Sequence, residues 1–160
     1  MLHHPWFPKL IVVAACLLPS TAWCQNYAPS QERPPVVSRE FRGAWVASVY
    51  NIDWPSRTGL SRSAQQSELR AMLDQMAKIN LNAIIFQVRP NGDALYKSSI
   101  EPWSSWLTGT MGRSPGYDPL AFCIAEAHAR GIEVHAWFNP FRALPNATMP
   151  TASNHVCRTH

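Results

Sequence analysis

Four side chains cluster around the ends of two short apolar segments: Gln87 and Arg89 close the run that begins at Ala83, and His135 and Asn139 bracket Trp137. Amide, guanidinium and imidazole groups hydrogen-bond hydroxyls, and exposed tryptophan faces stack on sugar rings through C–H contacts. Tyr96, Trp103 and Trp106, in the segment between, supply more aromatic surface. The combination suits a carbohydrate ligand. Cleaving a glycosidic bond would need two carboxyl groups, one to protonate the leaving oxygen and one as base or nucleophile. The loop candidates are Asp53, Asp93 and Glu101, and each has a plainer reading: Asp53 as a turn residue, Asp93 as an Asx-type turn residue beside Gly92, Glu101 as a solvated loop charge. His135 reads equally as a satisfied interior residue and as a site residue aligned with Asn139 and Arg89. No metal is expected, because His128, His135 and His155 have neither ligand spacing nor cysteine company. No cofactor is expected either: the chain has no Gly-rich phosphate loop and no serine elbow.

Strands and helices must carry these groups. The segment 43–49 is short, apolar and β-prone, and it runs into the turn-forming 51–55. Ser63 reads as a helix start, with Gln66 three residues on as in a capping box; Leu69, Met72, Leu73, Met76 and Ile79 then recur at helical spacing as a core-facing stripe. The nearly continuous apolar run 83–88 suits a buried parallel strand. A second helix is marked by Asp118 as N-cap, Pro119 at the first helical position and Gly131 at the C-cap, and the strand 133–138 follows. Two successive strand–helix–strand units predict right-handed crossovers and a parallel sheet covered by helices. Strand parity puts Ile84, Phe86, Val88, Val134, Ala136 and Phe138 on one face, toward the helices. Ile85, Gln87, Arg89, His135, Trp137 and Asn139 fall on the other. A face that turns polar toward the C-terminal strand ends is the pattern of a barrel interior opening into a site. The 89–117 loop, rich in Trp, Pro and Gly, is too long to be a mere connector. The first strand gives no parity assignment.

Composition agrees with a globular chain: 46% apolar and 15% charged residues among 160 leave too much apolar surface for disorder. A formal charge of +4, with no run of Lys and Arg, excludes a nucleic-acid footprint. Residues 1–24 carry one cation, Lys9, then nine apolar residues 10–18, then a small-residue stretch, which reads as a secretory signal peptide cleaved after Cys24. Nine apolar residues are far short of the roughly 20 that span a bilayer, so no transmembrane segment is expected. The predicted destination is secreted or periplasmic. A lipid anchor at Cys16 is the lesser alternative, since only about four apolar residues would precede the Val13–Cys16 pattern. Without the leader, only Cys123 and Cys157 remain, so no disulfide framework is expected, and Cys123 reads as a small core residue. Residues 25–38 form a Pro-rich linker.

Six segments in order, FRGAWVASVYNIDWPS at 41–56, FQVRPNGDALY at 86–96, EPWS at 101–104, LTG at 107–109, PGYDP at 115–119 and HAWFNPFR at 135–142, resemble the successive signatures of the glycosyl-hydrolase-like family 10 domain. The resemblance implies a (β/α)8 barrel of the TIM type, export to the bacterial envelope, and hydrolysis of peptidoglycan glycan strands that have lost their stem peptides. It places Gln87, Arg89, Asp93, His135, Asn139 and Arg142 along the cleft; Tyr96 and Trp103 join them as aromatic candidates for binding substrate. It also implies a fourth strand ending in adjacent acidic residues, whereas the tail 152–160 shows no strand pattern. The expectation for 39–160 is therefore an α/β piece with about three strands of eight, from a truncated gene, a frameshift or a partial gene model, poorly folded and inactive alone, with no carboxylate assignable as the catalytic acid. The rival expectation is a non-catalytic module that binds envelope glycan.

Overall fold

The computed structural model describes residues 40–160. Three parallel strands, β1 (Gly43–Val46), β2 (Ala83–Arg89) and β3 (Glu133–Phe138), form one sheet in the order β1-β2-β3. Two helices make the connections, α1 (Arg62–Lys78) between β1 and β2 and α3 (Pro119–His128) between β2 and β3. Two four-residue helices lie in the loops, α2 (Ser105–Thr108) and α4 (Val156–Thr159). The predicted α/β alternation with a parallel sheet is thus present.

Register explains how the sheet sorts its side chains. Trp45 pairs with Ile85 and Ile85 with His135, so these three share one face; Ala44, Ile84 and Val134 share the other, as do Val46, Phe86 and Ala136. This supplies the parity of β1 that its sequence withheld. On the helix-covered face Ile84, Phe86 and Val88 are fully buried among Leu69, Leu73 and Met76 of α1 and Cys123 and Ala127 of α3. Each such side chain contributes about 1.5–3 kcal/mol through removal from water. Trp54 closes this core, its ring 5.4 Å from Phe86 and its Nε1 donating to Gln65 O at 3.0 Å. Arg130 ties the helices on the outside, bonding Asp74 at 2.7 Å and Glu126 at 2.9 Å.

Several boundaries differ from the sequence reading. β1 stops at Val46 because the amides of Ser48 and Val49 turn to the Gln87 side chain. α1 starts one residue before Ser63, capped by Ser61, whose Oγ accepts from Ala64 N at 3.2 Å; the position three residues beyond this cap is Ala64, so the box with Gln66 does not form. Ile79, expected in the core stripe, sits past the helix end and is exposed. Asp118 and Pro119 start α3 as expected, with Asp118 Oδ1 accepting from Ala121 N at 2.9 Å. Gly131, at φ +71°, reverses the chain so that Ile132 N reaches Ala127 O at 2.9 Å. β3 departs most: Ala136 and Phe138, assigned to the apolar face, are exposed. The leader and the Pro-rich linker both lie outside the described residues. Among those described, no helix is long and apolar enough to cross a membrane.

Candidate functional site

The polar candidates gather at the C-terminal ends of β2 and β3, and hydrogen bonds fix what each can do. Gln87 is buried, and its Oε1 accepts from both Ser48 N and Val49 N at 3.0 Å. A strand residue with a long amide thereby holds the end of β1 against β2. Asn139 performs the corresponding task one strand over. Its Nδ2 donates to Pro90 O at 3.0 Å, its Oδ1 accepts from Trp137 Nε1 at 2.9 Å, and its backbone N donates to Arg89 O at 3.0 Å.

Arg89 is largely buried. Its Nε donates to Glu101 Oε1 and its Nη1 to Asn139 O at 2.7 Å. Tyr96 Oη donates to the other Glu101 oxygen at 3.1 Å. Burial, reinforced by the neighbouring Glu101 carboxylate, pushes the Tyr96 hydroxyl up to about 12, so it stays a donor at neutral pH. Glu101 is therefore the anchor of a part-buried triad, not the solvated loop charge of its plainer reading.

Asp93 is more deeply enclosed. Oδ1 accepts from Asn91 N at 2.8 Å; Oδ2 has no well-aligned donor, the Ser104 hydroxyl being the group beside it. Burial raises its pKa above the ordinary carboxylate range, against the opposing effect of the hydrogen bonds around it. His155 was the residue sequence reasoning passed over. It is fully buried: its Nδ1 accepts from Cys157 N at 3.2 Å, which leaves Nε2–H to donate to Asn91 O at 2.9 Å. The tail that looked merely polar thus forms α4 and packs on the loop after β2. There a Cβ at Gly92, φ +67°, would meet Val156 Cγ1 at 3.0 Å and His155 Nε2 at 3.1 Å. The only signal in the sequence was a histidine just before a short apolar pair.

Asp53 follows its plainer reading, Oδ2 accepting from Ala47 N at 2.7 Å. His135 stands half exposed on the open face, edge-on to the Phe41 ring at 5.3 Å and 3.6 Å from Glu133 Oε2. The candidates do not form one cluster. Gln87, Asn139 and Arg142 line an open cavity of about 340 Å³ with Val49, Trp137, Pro140 and Phe141. Arg89 and Glu101 line a second of similar size, whose wall includes Val156 and Thr159 of α4. Trp103 lines a third with Lys97, Ser114, Tyr117 and Asp118. Among the described residues no group of three or more His, Cys, Asp or Glu side chains is placed to hold a metal ion.

The first cavity joins two aromatic faces to amide and guanidinium donors at the strand ends, and the sequence around it matches a known family. The sequence profile of the Glycosyl hydrolase-like 10 family covers residues 40–160. The chain belongs to that family. It is similar to the glycosyl hydrolase YngK of Bacillus subtilis (strain 168), 50% identical over 124 residues that make up 76% of this chain and 24% of the relative. It is also similar to the glycosyl hydrolase DigH of Escherichia coli (strain K12), 38% identical over 157 residues, 87% of this chain and 35% of that relative. The chain therefore spans about a quarter to a third of the length of these curated relatives.

Proposed function

We propose that this chain is part of an exported glycoside hydrolase that acts on the glycan strands of the bacterial cell wall, its three strands being three of the eight in a (β/α)8 barrel. The observation that carries the reading is the cavity at the C-terminal ends of β2 and β3, where Trp137 and Phe141 offer faces for sugar rings beside the polar groups of Asn139 and Arg142. Parallel α/β sheets place their ligands at this end of the strands. Membership of a glycosyl-hydrolase-like family supports a polysaccharide as the ligand. The leader at 1–24 supports export to the periplasm or beyond; N-terminal sequencing of the protein recovered from that compartment should begin at Gln25.

The rival reading is binding without cleavage. Each of the three loop carboxylates is engaged by the protein: Asp53 by Ala47 N, Asp93 by Asn91 N, and Glu101 by Arg89 and Tyr96. None is assigned as the acid or the nucleophile. Incubating the full-length protein with glycan strands stripped of stem peptides separates the two readings. Release of soluble saccharides is expected for the hydrolase; tight binding with no release would replace it with the binding module.

A further inference from the structure

Resting on the glycan reading above, we propose that the cavity lined by Trp103 and Tyr117 is a second sugar site, one that holds an uncharged pyranose of the same strand away from the strand-end cavity. The loop after β2 changes character along its length. Residues 90–95 are buried, whereas from Lys97 onward the chain opens a cavity of about 360 Å³, which shares no residue with the one lined by Gln87, Asn139 and Arg142. It lies in the connection from the middle strand of the sheet to α3, and its supports come from α1, α3 and the loop itself. Both aromatic residues are held in place. Trp103 is bracketed by backbone bonds to Ala94, whose N donates to Pro102 O at 2.8 Å and whose O accepts from Ser104 N at 2.9 Å. Tyr117 donates its hydroxyl to Gln65 Oε1 at 2.9 Å, has the Arg62 guanidinium 5.6 Å from its ring centre and meets Phe122 edge-on at 6.0 Å. Rings fixed by their own scaffold bind without the entropy cost of being ordered by the ligand.

The polar groups on the wall decide the ligand. Among the described residues, acceptors take up the indole N–H of Trp54 and of Trp137, but none takes that of Trp103, which is not sealed from solvent either. Ser114 Oγ accepts from Gly116 N at 3.1 Å, which leaves its own hydrogen to donate. Both Asp118 oxygens already accept backbone N–H groups, Oδ1 from Ala121 at 2.9 Å and Oδ2 from Lys97 at 2.9 Å. With the Lys97 ammonium, the Asp118 carboxylate gives the wall one formal charge of each sign. A site with no net charge gives no advantage to an anion or a cation. Two fixed aromatic side chains with free hydroxyl and indole donors suit instead the C–H face and the hydroxyl or acetamido oxygens of a neutral sugar. A strand that occupies two sites on one protein gains affinity through the second without any change at the first.

The test uses the full-length protein with long glycan strands stripped of stem peptides and with tetramers of N-acetylglucosamine. Hydroxyl-radical footprinting read by mass spectrometry should show Trp103 and Tyr117 shielded by the long strands, together with Trp137 of the strand-end cavity. Long strands should bind about tenfold more tightly than tetramers, and Trp103→Ala should remove most of that gain. Trp103→Phe, which keeps a ring but loses the indole N–H, should remove part of it. The gain should persist at high salt, since the wall has no net charge. Trp103 is part-buried; should Trp103→Ala fail to fold, the footprint of the unaltered protein decides alone. Shielding of Trp137 without Trp103 and Tyr117, or a gain that survives Trp103→Ala, would overturn the second site and leave the glycan reading intact. A gain that vanishes at high salt would overturn the assignment of a neutral sugar. Binding of neither ligand would overturn the glycan reading itself, and this one with it.

Discussion

The loops after β2 and β3 leave the same end of the sheet and are built in opposite ways. In the first, residues 90–95 are buried throughout, Arg89 is paired with Glu101, and Asp93 and Asn91 are enclosed under His155. In the second, Pro140, Phe141 and Arg142 stand in solvent between two anchored ends. Burial explains the contrast. A cation taken out of water must be compensated by a partner, and a partnered cation has little left for a ligand. A cation left in water keeps its donors free. The β2 loop is accordingly packed as scaffold, whereas the β3 loop keeps its polar and aromatic groups in solvent.

The largest expected difference lies between two phenylalanines. Phe86→Ala would empty space beside Trp54, Ile84 and the α1 stripe and should cost about 3–5 kcal/mol in urea denaturation. Phe141→Ala should change stability by less than about 0.5 kcal/mol, because its ring is already in water. A comparable loss at both sites would mean that the β3 loop belongs to the core.

Next come the charges. Glu101→Gln leaves the Arg89 guanidinium, only 16% exposed, without its counter-ion and should cost about 2–3 kcal/mol, somewhat below the value for a fully buried pair. Arg142→Gln should fall within about 0.5 kcal/mol by the same measurement. Gln87→Ala should cost about 2 kcal/mol, since the buried amides of Ser48 and Val49 lose their acceptor together.

How much of this was legible in the sequence depends on the range of the interaction. Asp118, Pro119 and Gly131 act on their own helix, and the stripe Leu69, Leu73 and Met76 follows a local period, so these were read correctly. Parity placed Gln87 and Asn139 at the strand ends, but their partners lie 38 and 49 residues away, and nothing local shows that their amides hold neighbouring chain. The pairing of Glu101 with Arg89 and the burial of His155 against Asn91 were hidden for the same reason, the latter across 64 residues. Parity assigned Ala136 and Phe138 to the apolar face, yet both are exposed on β3, the last strand of the described sheet.

The finest test of the comparison is the pH dependence of Asp93. Burial is the main cause of its raised pKa, so the folded protein holds this proton more readily than the unfolded chain does. The contribution of the protonated carboxyl to stability is full below the unfolded value, about 3.9, and is lost as pH rises through the higher folded value. Asp93→Asn removes the titration while keeping an oxygen to accept from Asn91 N and placing an amide beside the Ser104 hydroxyl, which can accept from it. The variant should therefore gain on the unaltered protein as pH rises from about 4 and then level off, by less than any of the core losses above. Denaturant midpoints across that range measure the gap. A gap that does not change with pH would mean that water reaches Asp93, and the β2 loop would then be as open to a ligand as the loop after β3.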